Sequence, residues 1–582
     1  LKCCATKAHT KMFLNMHPNK IVKIAFCILL SFTLTFSYVH LNAQVQSHQT
    51  TVIDFLNRMA QKGKIEFNDL IKPIDRKIIF QKLDELQKQK DLSAIEQKEV
   101  QFFIAGFVLE NPTIIHIGSN LADTSEVKNR YSGPAFIAFK KLKTNPAVQQ
   151  NIVTYKENGF GLIVNPMGNL SVQSRNGKFN SIQARGFQLM GYAGNRIGFQ
   201  LSFVDIDEQG GFDSLRVDNE LPGFVRKETT NPKILNYSQM NATLSYRLNK
   251  GMITVGQDQQ VLGYGKYGNL VMSDKAPAYP FYALNYQPSS WLKFNYMHAW
   301  LESGVLDTRA TYDLNNKVYG GVRQQYLPKF FATHSVEIAP MKGLKLNLGE
   351  SIMYSENLQL AYMLPVTFFK AFDNQKYADN ILSGSNGQFF LGFSSRNQLR
   401  NTHLYGQWMI DEIRLGSAFN AGTSRNHLGY QLGASVTDLF LHYLTFNAEY
   451  TRLNPFMYRN FIAAQNYSNG NFSLGDWMGA NADRIYFSAK YHPKANLSLE
   501  AFAFMMRKNG QGSIEDQYFA IPQPKFGFDP QYKRNRFGLN AQYELWNNLI
   551  LNFSYANTFQ KPTIGKGKWF TDASFGICWN KF

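Results

Sequence analysis

From about residue 154 to the end of the chain, apolar side chains recur at every second position in segments separated by short turns. Leu244, Tyr246 and Leu248 alternate with Thr243, Ser245 and Arg247 ahead of Asn249-Lys250-Gly251. Leu444, Phe446, Ala448 and Tyr450 alternate with Thr445, Asn447 and Glu449. Phe537, Leu539, Ala541, Tyr543 and Leu545 alternate with Gly538, Asn540, Gln542 and Glu544, and Asn547-Asn548 leads into Leu549, Leu551, Phe553 and Tyr555. Successive strand side chains point to opposite faces, so each segment has one greasy and one polar face. A soluble sandwich gives the same alternation, but roughly 430 residues of it would divide into domains joined by linkers. The sequence contains no such linker. A closed membrane barrel, apolar outside and polar inside, satisfies the pattern in one domain.

Short turns at Gly194-Asn195, Met341-Lys342-Gly343 and His492-Pro493-Lys494 alternate with longer polar stretches at 207–236, 303–325, 371–388 and 454–482. Outer-membrane barrels have short periplasmic turns and long extracellular loops, and at roughly 10 residues a strand this length suits 16 to 18 strands. The predicted barrel spans 151–582. Aromatic residues form 14% of the chain, with 30 Tyr and 47 Phe, as the outward face and interfacial girdles of such a barrel require. Phe575, Ile577 and Trp579 alternate just before the terminal Phe582. That ending resembles the signal read by the barrel assembly machinery, although Phe582 falls on the opposite parity from Trp579.

Residues 1–43 carry five lysines and no acid, then an apolar run from Ile24 to Val39, and end at Leu41-Asn42-Ala43. This reads as a secretory signal peptide cleaved after Ala43. Its removal takes away Cys3, Cys4 and Cys27, leaves Cys578 without a disulfide partner, and lowers the net charge from +19 to +14. A basic exported protein attracts anionic polysaccharide or lipopolysaccharide phosphate, and export sets nucleic acid aside as a partner.

Residues 44–150 read as a periplasmic helical segment. Val52, Phe55, Leu56 and Met59 form one helical face ended by Lys62-Gly63. A second helix runs from Asp75 through Ile78, Ile79, Leu83 and Leu86, and a third starts at Ser93, whose spacing to Glu96 is a capping box.

Several blocks in the middle of the chain resemble the Wzi-like capsule-assembly family, particularly its Bacteroidetes members. They are Val255-Gly256-Gln257-Asp258 with Leu262-Gly263-Tyr264-Gly265 and Gly268 to Asp274; His334 to Ile338 with Leu348-Gly349-Glu350-Ser351 and Tyr362 to Pro365; Leu404 to Gln407 with Asp411-Glu412; and Asn454-Pro455-Phe456 with Asn466-Tyr467-Ser468 and Gly479-Ala480-Asn481. Lys72-Pro73-Ile74-Asp75-Arg76 also looks like the family's opening. Leu364-Pro365 stands where the family pattern has Asn-Pro. The resemblance implies an 18-stranded barrel with a periplasmic helical bundle and a role in retaining capsular polysaccharide. The chain is also similar to a gliding-motility surface protein of flavobacteria, so motility or adhesion is the alternative role.

No cofactor is expected. Gly263 to Gly268 lacks the Gly-Lys-Ser/Thr ending of a phosphate loop and reads as a turn or inward-folded loop. No histidine pair has metal-binding spacing, and no paired glycosidase carboxylates are evident, so the chain is read as non-enzymatic. A diffusion channel and an outer-membrane lipase are weaker alternatives. Candidate glycan-binding residues are Asp258, Tyr264, Lys266, Ser273, Asp274, Tyr458, Arg459 and Trp477, because aromatic faces stack on sugar rings and polar groups bond hydroxyls and carboxylates. His334, Glu350, Asp411, Glu412 and Glu449 are expected to be structural or lumenal. Glu350 shares the parity of Leu344, Leu346 and Leu348, so it requires a rim position, a bulge at Gly349 or a basic partner. Adjacent Asp411 and Glu412 point to opposite faces unless the backbone bulges.

Overall fold

The computed structural model describes residues 45–46, 51–111, 151–157, 159–210, 220, 223, 234–315, 320–376, 384–413, 420, 425–546 and 548–580. The expected signal peptide with Cys3, Cys4 and Cys27, the 112–150 part of the helical segment, and Phe582 lie outside the described residues.

Eighteen antiparallel strands close into a barrel. They are β1 Phe160–Arg175, β2 Lys178–Ala193, β3 Ile197–Gly210, β4 Ile234–Leu248, β5 Gly251–Asp258 and β6 Tyr279–Ser289. Next come β7 Leu292–Leu306, β8 Tyr326–Met341, β9 Leu344–Ser355, β10 Asn386–Arg396, β11 Thr402–Ile413 and β12 Asn426–Thr437. The last are β13 Leu444–Leu453, β14 Ala482–Lys494, β15 Leu497–Asn509, β16 Pro530–Trp546, β17 Leu549–Pro562 and β18 Lys568–Trp579. The seam pairs β18 with β1 from Asp572↔Arg175 to Trp579↔Gly168. A short strand, Val153–Glu157, continues that edge along residues 160–164 of β1.

Strand parity sorts the wall as the alternation predicts. Leu170, Val172, Leu244, Tyr246, Phe487, Phe537, Leu539, Phe553 and Phe575 face outward and are exposed, forming the apolar belt that lipid requires. Eight of the ten connections of six residues or fewer lie at one end, and all seven longer ones at the other. At the long-loop end β1 and β2 are joined tightly by Asn176-Gly177, whose φ values of 50° and 78° suit a two-residue hairpin turn. The turn expected at His492-Pro493-Lys494 falls later, between Lys494 and Leu497, because Pro493 sits at the strand's end, beyond the last regular pairs of the ladder.

At the short-turn end, three helices pack together: α1 Thr51–Gln61, α2 Arg76–Gln87 and α3 Ala94–Ile104. Val52, Phe55, Leu56, Met59, Ile79, Leu83 and Leu86 form their common core. The capping box of Ser93 and Glu96 forms, and Asp75 caps α2 by accepting from Lys77 N. Ile78 is exposed instead of packed, since a period of 3.6 residues carries it off the Ile79–Leu83–Leu86 stripe.

This helical unit is fastened to the barrel by charge and hydrogen bonds. Arg396 on β10 donates to Asp69, Asn57 Oδ1 and the Phe67 carbonyl, all buried. Lys490 on β14 bonds Asp54 at 2.6 Å, Lys62 bonds Asp438 at 2.7 Å, and Tyr443 Oη donates to Ser93 Oγ at 2.9 Å. Burial would push the Asp69 carboxyl up, but the cations Lys72 and Arg396 outweigh it and hold the group well below the usual carboxylate range.

A depressed folded-state pKa gives stability that is complete above the ordinary carboxylate pKa and is lost only as pH falls through the folded value. Protease protection of residues 51–104 should therefore show no loss of the Asp69 contribution between pH 8 and pH 5. Removing one partner of a buried pair costs about 3–5 kcal/mol, so Arg396→Ala is expected to expose the helices to protease while the barrel stays heat-modifiable on gels. Unchanged protection in the variant would show that the helices are held elsewhere.

Candidate functional site

The site is built inside the barrel, where two long connections turn inward instead of projecting. Residues 259–278, between β5 and β6, and residues 454–481, between β13 and β14, meet in the lumen. Irregular backbone at such a place must find partners for its carbonyls and amides, and the two segments find them in each other. Ser273 N donates to Leu474 O at 2.8 Å and Ser273 Oγ to Gly475 O at 2.6 Å. Tyr458 Oη donates to Leu270 O at 2.7 Å, Tyr467 Oη to Val271 O at 2.9 Å, and Trp477 Nε1 to Tyr267 O at 3.1 Å.

The wall supplies the rest. Lys508 donates to the carbonyls of Met478 and Ala480 at 2.7 and 2.8 Å, and Lys329 to that of Asn466 at 2.6 Å. Gln431 donates to Gly268 O at 2.9 Å, while Gln407 accepts from Leu270 N at 3.2 Å. The lumen is not uniformly polar: inward Phe331, Met353, Phe390, Tyr405, Met409, Phe504 and Met506 join Leu270, Met272, Leu474 and Trp477 in one apolar core. A two-residue ladder, Ile71-Lys72 with Val261-Leu262, links this plug to the helical unit.

At its centre the fully buried Arg484 of β14 bonds Asp476 Oδ2 at 3.0 Å and lies 3.8 Å from Glu449 of β13. Glu449 in turn accepts from Lys266 N at 2.7 Å and Tyr405 Oη at 2.8 Å. The guanidinium stands 5.2 Å from the Tyr267 ring centroid and 5.0 Å from that of Trp477, within cation–π range. One arginine therefore holds both inward segments, the first through Glu449 and the second through Asp476.

The candidates named from sequence fall mostly within this plug. Tyr264 is buried, with its hydroxyl 3.3 Å from Asn68 Oδ1 and 3.5 Å from Glu337. Tyr458 is buried and stacked on Tyr467. Burial pushes both phenols well above their usual range, so they remain donors. Ser273 and Trp477 are likewise buried and committed to backbone carbonyls. Asp258 closes β5 by accepting from Gln259 N at 2.8 Å.

Three candidates keep partial contact with solvent. Lys266 lines a polar cavity of about 120 Å³ against α1, opposite Asp54, Lys490 and Glu500. Asp274 lies 3.2 Å from Lys275. Arg459 donates to the carbonyls of Gln511 and Gly512 at 2.6 and 2.8 Å.

The carboxylates resolve individually. A bulge between Ile410 and Glu412 interrupts the alternation. Asp411 accepts from Gln388 Nε2 and Tyr458 N, whereas Glu412 faces Arg425 and His427. Glu449 is lumenal, but Glu350 and His334 stand on the outer face of the wall, directly opposite each other in register and 3.1 Å apart. The basic partner that Glu350 requires is His334, with no bulge at Gly349. Among the described residues no group of three or more His, Cys, Asp or Glu is placed to hold a metal ion.

Sequence reasoning passed over the exposed hairpin between β7 and β8. Tyr312-Asp313 pairs with Val322-Arg323, the Arg323 guanidinium lies 6.0 Å from the Tyr312 ring centroid, and Tyr326 stands exposed at the start of β8. The usable signal was a tyrosine beside charged residues within the polar stretch 303–325. If Arg484 holds the plug, Arg484→Leu should lower thermal stability by about 3–5 kcal/mol and give measurable conductance in planar bilayers, against none for the unmodified protein. An equally stable, silent variant would remove the arginine from that role.

No curated protein sequence matches the chain significantly. Among solved structures, the Escherichia coli outer-membrane protein Wzi, described as a carbohydrate-binding β-barrel involved in group 1 capsule assembly, aligns with a TM-score of 0.53 at 12% identity, covering 93% of this chain and 99% of its own. Pseudomonas aeruginosa OccD3 (OpdP) aligns at a TM-score of 0.41 and 13% identity over 72% of this chain and 91% of its own. The family model for the capsule assembly protein Wzi matches residues 224–560, more than half of the chain, from within the β3–β4 connection through most of β17. This chain therefore belongs to the Wzi capsule-assembly family.

Proposed function

We propose that this integral outer-membrane barrel is a non-catalytic surface protein that binds an anionic capsular polysaccharide or exopolysaccharide at the cell exterior and retains it there. The observation that carries this reading is the filled lumen in a chain of the capsule-assembly family: both the interlocked segments and the helical unit occupy the space that a diffusion channel needs open. In this reading the short turns and the helices face the periplasm and the long loops face outward, the usual arrangement of outer-membrane barrels. The plug residues Ser273, Tyr458 and Trp477 give the outer end a fixed floor, and Tyr264 ties the plug to Asn68 beneath it. Asp274, Arg459 and the hairpin bearing Tyr312 and Arg323 supply groups for sugar, whereas Lys266 faces α1 on the helical side of the plug.

The ligand's charge follows from the chain's own. A net charge of +14 without residues 1–43 favours acidic sugars or lipopolysaccharide phosphate over neutral glycans. An exposed tyrosine with a guanidinium near its ring is suited to stacking on a pyranose while bonding a carboxylate.

A deletion strain compared with its parent should shed polysaccharide from the cell surface into the medium. Unchanged surface glycan with failed spreading on the same plates would replace retention by a motility role. In the complemented strain, Tyr312→Ala with Arg323→Ala should weaken binding of acidic polysaccharide roughly fivefold, the equivalent of about 1 kcal/mol from a lost aromatic contact. Full binding by this variant would move the contact to other loops.

A further inference from the structure

The connection between β9 and β10 leaves the rim and folds down over the outside of the wall. Residues Leu360–Met363 form a 3-10 turn, and α4, Phe369–Lys376, follows. Tyr362 and Phe369 pack on outward-facing Tyr296, Phe330, Ile352 and Tyr354. Tyr296 Oη donates to the Tyr362 carbonyl at 2.9 Å and Tyr282 Oη to that of Met363 at 2.7 Å. The Glu350 carboxylate takes the first amides of α4, Phe369 N at 2.6 Å and Lys370 N at 3.4 Å, with His334 on its other side.

The depth at which this occurs sets its surroundings. A strand rises about 3.3 Å per residue, and at a tilt of about 40° that is about 2.5 Å of height. From Leu344, beside the short turn, to Glu350 the wall therefore climbs about 15 Å, whereas the apolar band of an outer-membrane barrel is about 25 Å tall. On this side the wall's own apolar rows, Leu346 and Leu348 on β9 with Val336 and Ile338 on β8, are interrupted by the polar pair Glu350 and His334, and the apolar side chains above it, Ile352, Tyr354, Phe330 and Ala332, are buried under the folded-down segment. The band is completed above that level by the folded-down segment. Its far side carries Leu358, Leu360, Leu364, Val366 and Phe368, all exposed, with Val366 at 88%. No charged side chain occurs between Glu356 and Lys370.

We infer that residues 357–369 lie in the hydrocarbon of the membrane leaflet on the long-loop side, with the ridge Leu360–Leu364–Val366–Phe368 facing lipid acyl chains and Glu350 with His334 anchoring it from beneath. The ridge runs into the belt on both sides, the Phe368 ring lying 6.0 Å from that of Phe389 of β10 and the cluster beneath it reaching Tyr282 and Leu284 of β6, and this continuity identifies acyl chains as the occupant. Exposed apolar side chains of this number are costly in water, and a bare glutamate facing lipid is costly too. A single covering segment removes both penalties. Lys370, at the lower end of α4, pairs with Asp373 at 3.7 Å and runs its chain along the wall near Gly387, the way a lysine stem lies on apolar surface.

The test uses the whole chain, with its native cysteines replaced by serine, in phospholipid vesicles without glycan, so its result does not depend on polysaccharide binding. A nitroxide is attached at Val366→Cys and compared with Leu539→Cys on the belt and Ile564→Cys, 92% exposed, on the β17–β18 loop. Oxygen concentrates in hydrocarbon and a nickel chelate stays in water, so collision rates with each report the surroundings. The expected result is a Val366 label that matches Leu539, with nickel collisions several-fold below those at Ile564. Nickel access equal to that at Ile564 would overturn the inference by placing the segment in water. Spin–spin broadening between labels would overturn it by placing a second copy of the chain on the ridge. Leu360→Cys, read the same way, serves if the Val366 variant does not fold, as judged by heat-modifiable mobility on gels.

Discussion

Arg484 carries a full charge at the centre of the barrel with no access to water, and its place there is set by Asp476 and Glu449. Such a group is stable only when its hydrogen bonds and countercharge are both provided. Asp476 belongs to one inward segment, and Glu449 belongs to the wall and grips the backbone of the other at Lys266. The arginine thus fixes how far each segment descends and at what angle they meet. Tyr267 and Trp477 pack against its two sides, and Tyr267 stacks on Tyr486 with centroids 4.4 Å apart. Neighbouring apolar contacts in the lumen are arranged around that fixed point.

The wall adapts to a filled interior by abandoning strict polarity on its inner face. Phe331, Met353, Phe390 and Met409 point inward where a water channel would carry polar groups. They meet a plug whose own backbone is irregular, and the long side chains Lys329 and Lys508 cross the gap to reach its carbonyls. Between the plug and α1 polar groups remain, in the cavity lined by Lys266, Lys490 and Asp54. The same rule of complete hydrogen bonding that makes a membrane wall a closed sheet governs what can be packed inside it.

Much of this was legible in the sequence. Alternation at Leu244–Leu248 and Phe537–Leu545 told the outward face from the inward one, because a strand's period of two is intrinsic to its backbone. The capping box at Ser93 and Glu96 located a helix start for an equally local reason. The parity of Glu350 was also readable, and with it the need for a partner, but His334 lies on another strand and becomes its neighbour only through pairing register. The fate of the long connections was not legible at all. Trp477, Tyr458 and Tyr264 have the chemistry of sugar-binding residues, and the same aromatic and hydroxyl groups serve equally well to seal a core. Residue type cannot say whether a loop turns outward or inward, since that depends on what the opposite wall offers. Nor does local pattern reveal that a polar stretch folds down over the wall's exterior.

The seam between β1 and β18 has a consequence for how the molecule comes apart and together. Arg175 and Asp572, which form an ion pair across it, are 397 positions apart in the chain, whereas the other wall contacts join consecutive hairpins. Bringing such distant ends together costs about 5 kcal/mol of loop entropy if nothing else has formed, and progressively less as each hairpin between them is already in place. The closing pair therefore belongs late in the order of events, after the hairpins between its two strands. Parting this line of eight residue pairs opens the wall without breaking a single hairpin, which no other line of pairs in it allows.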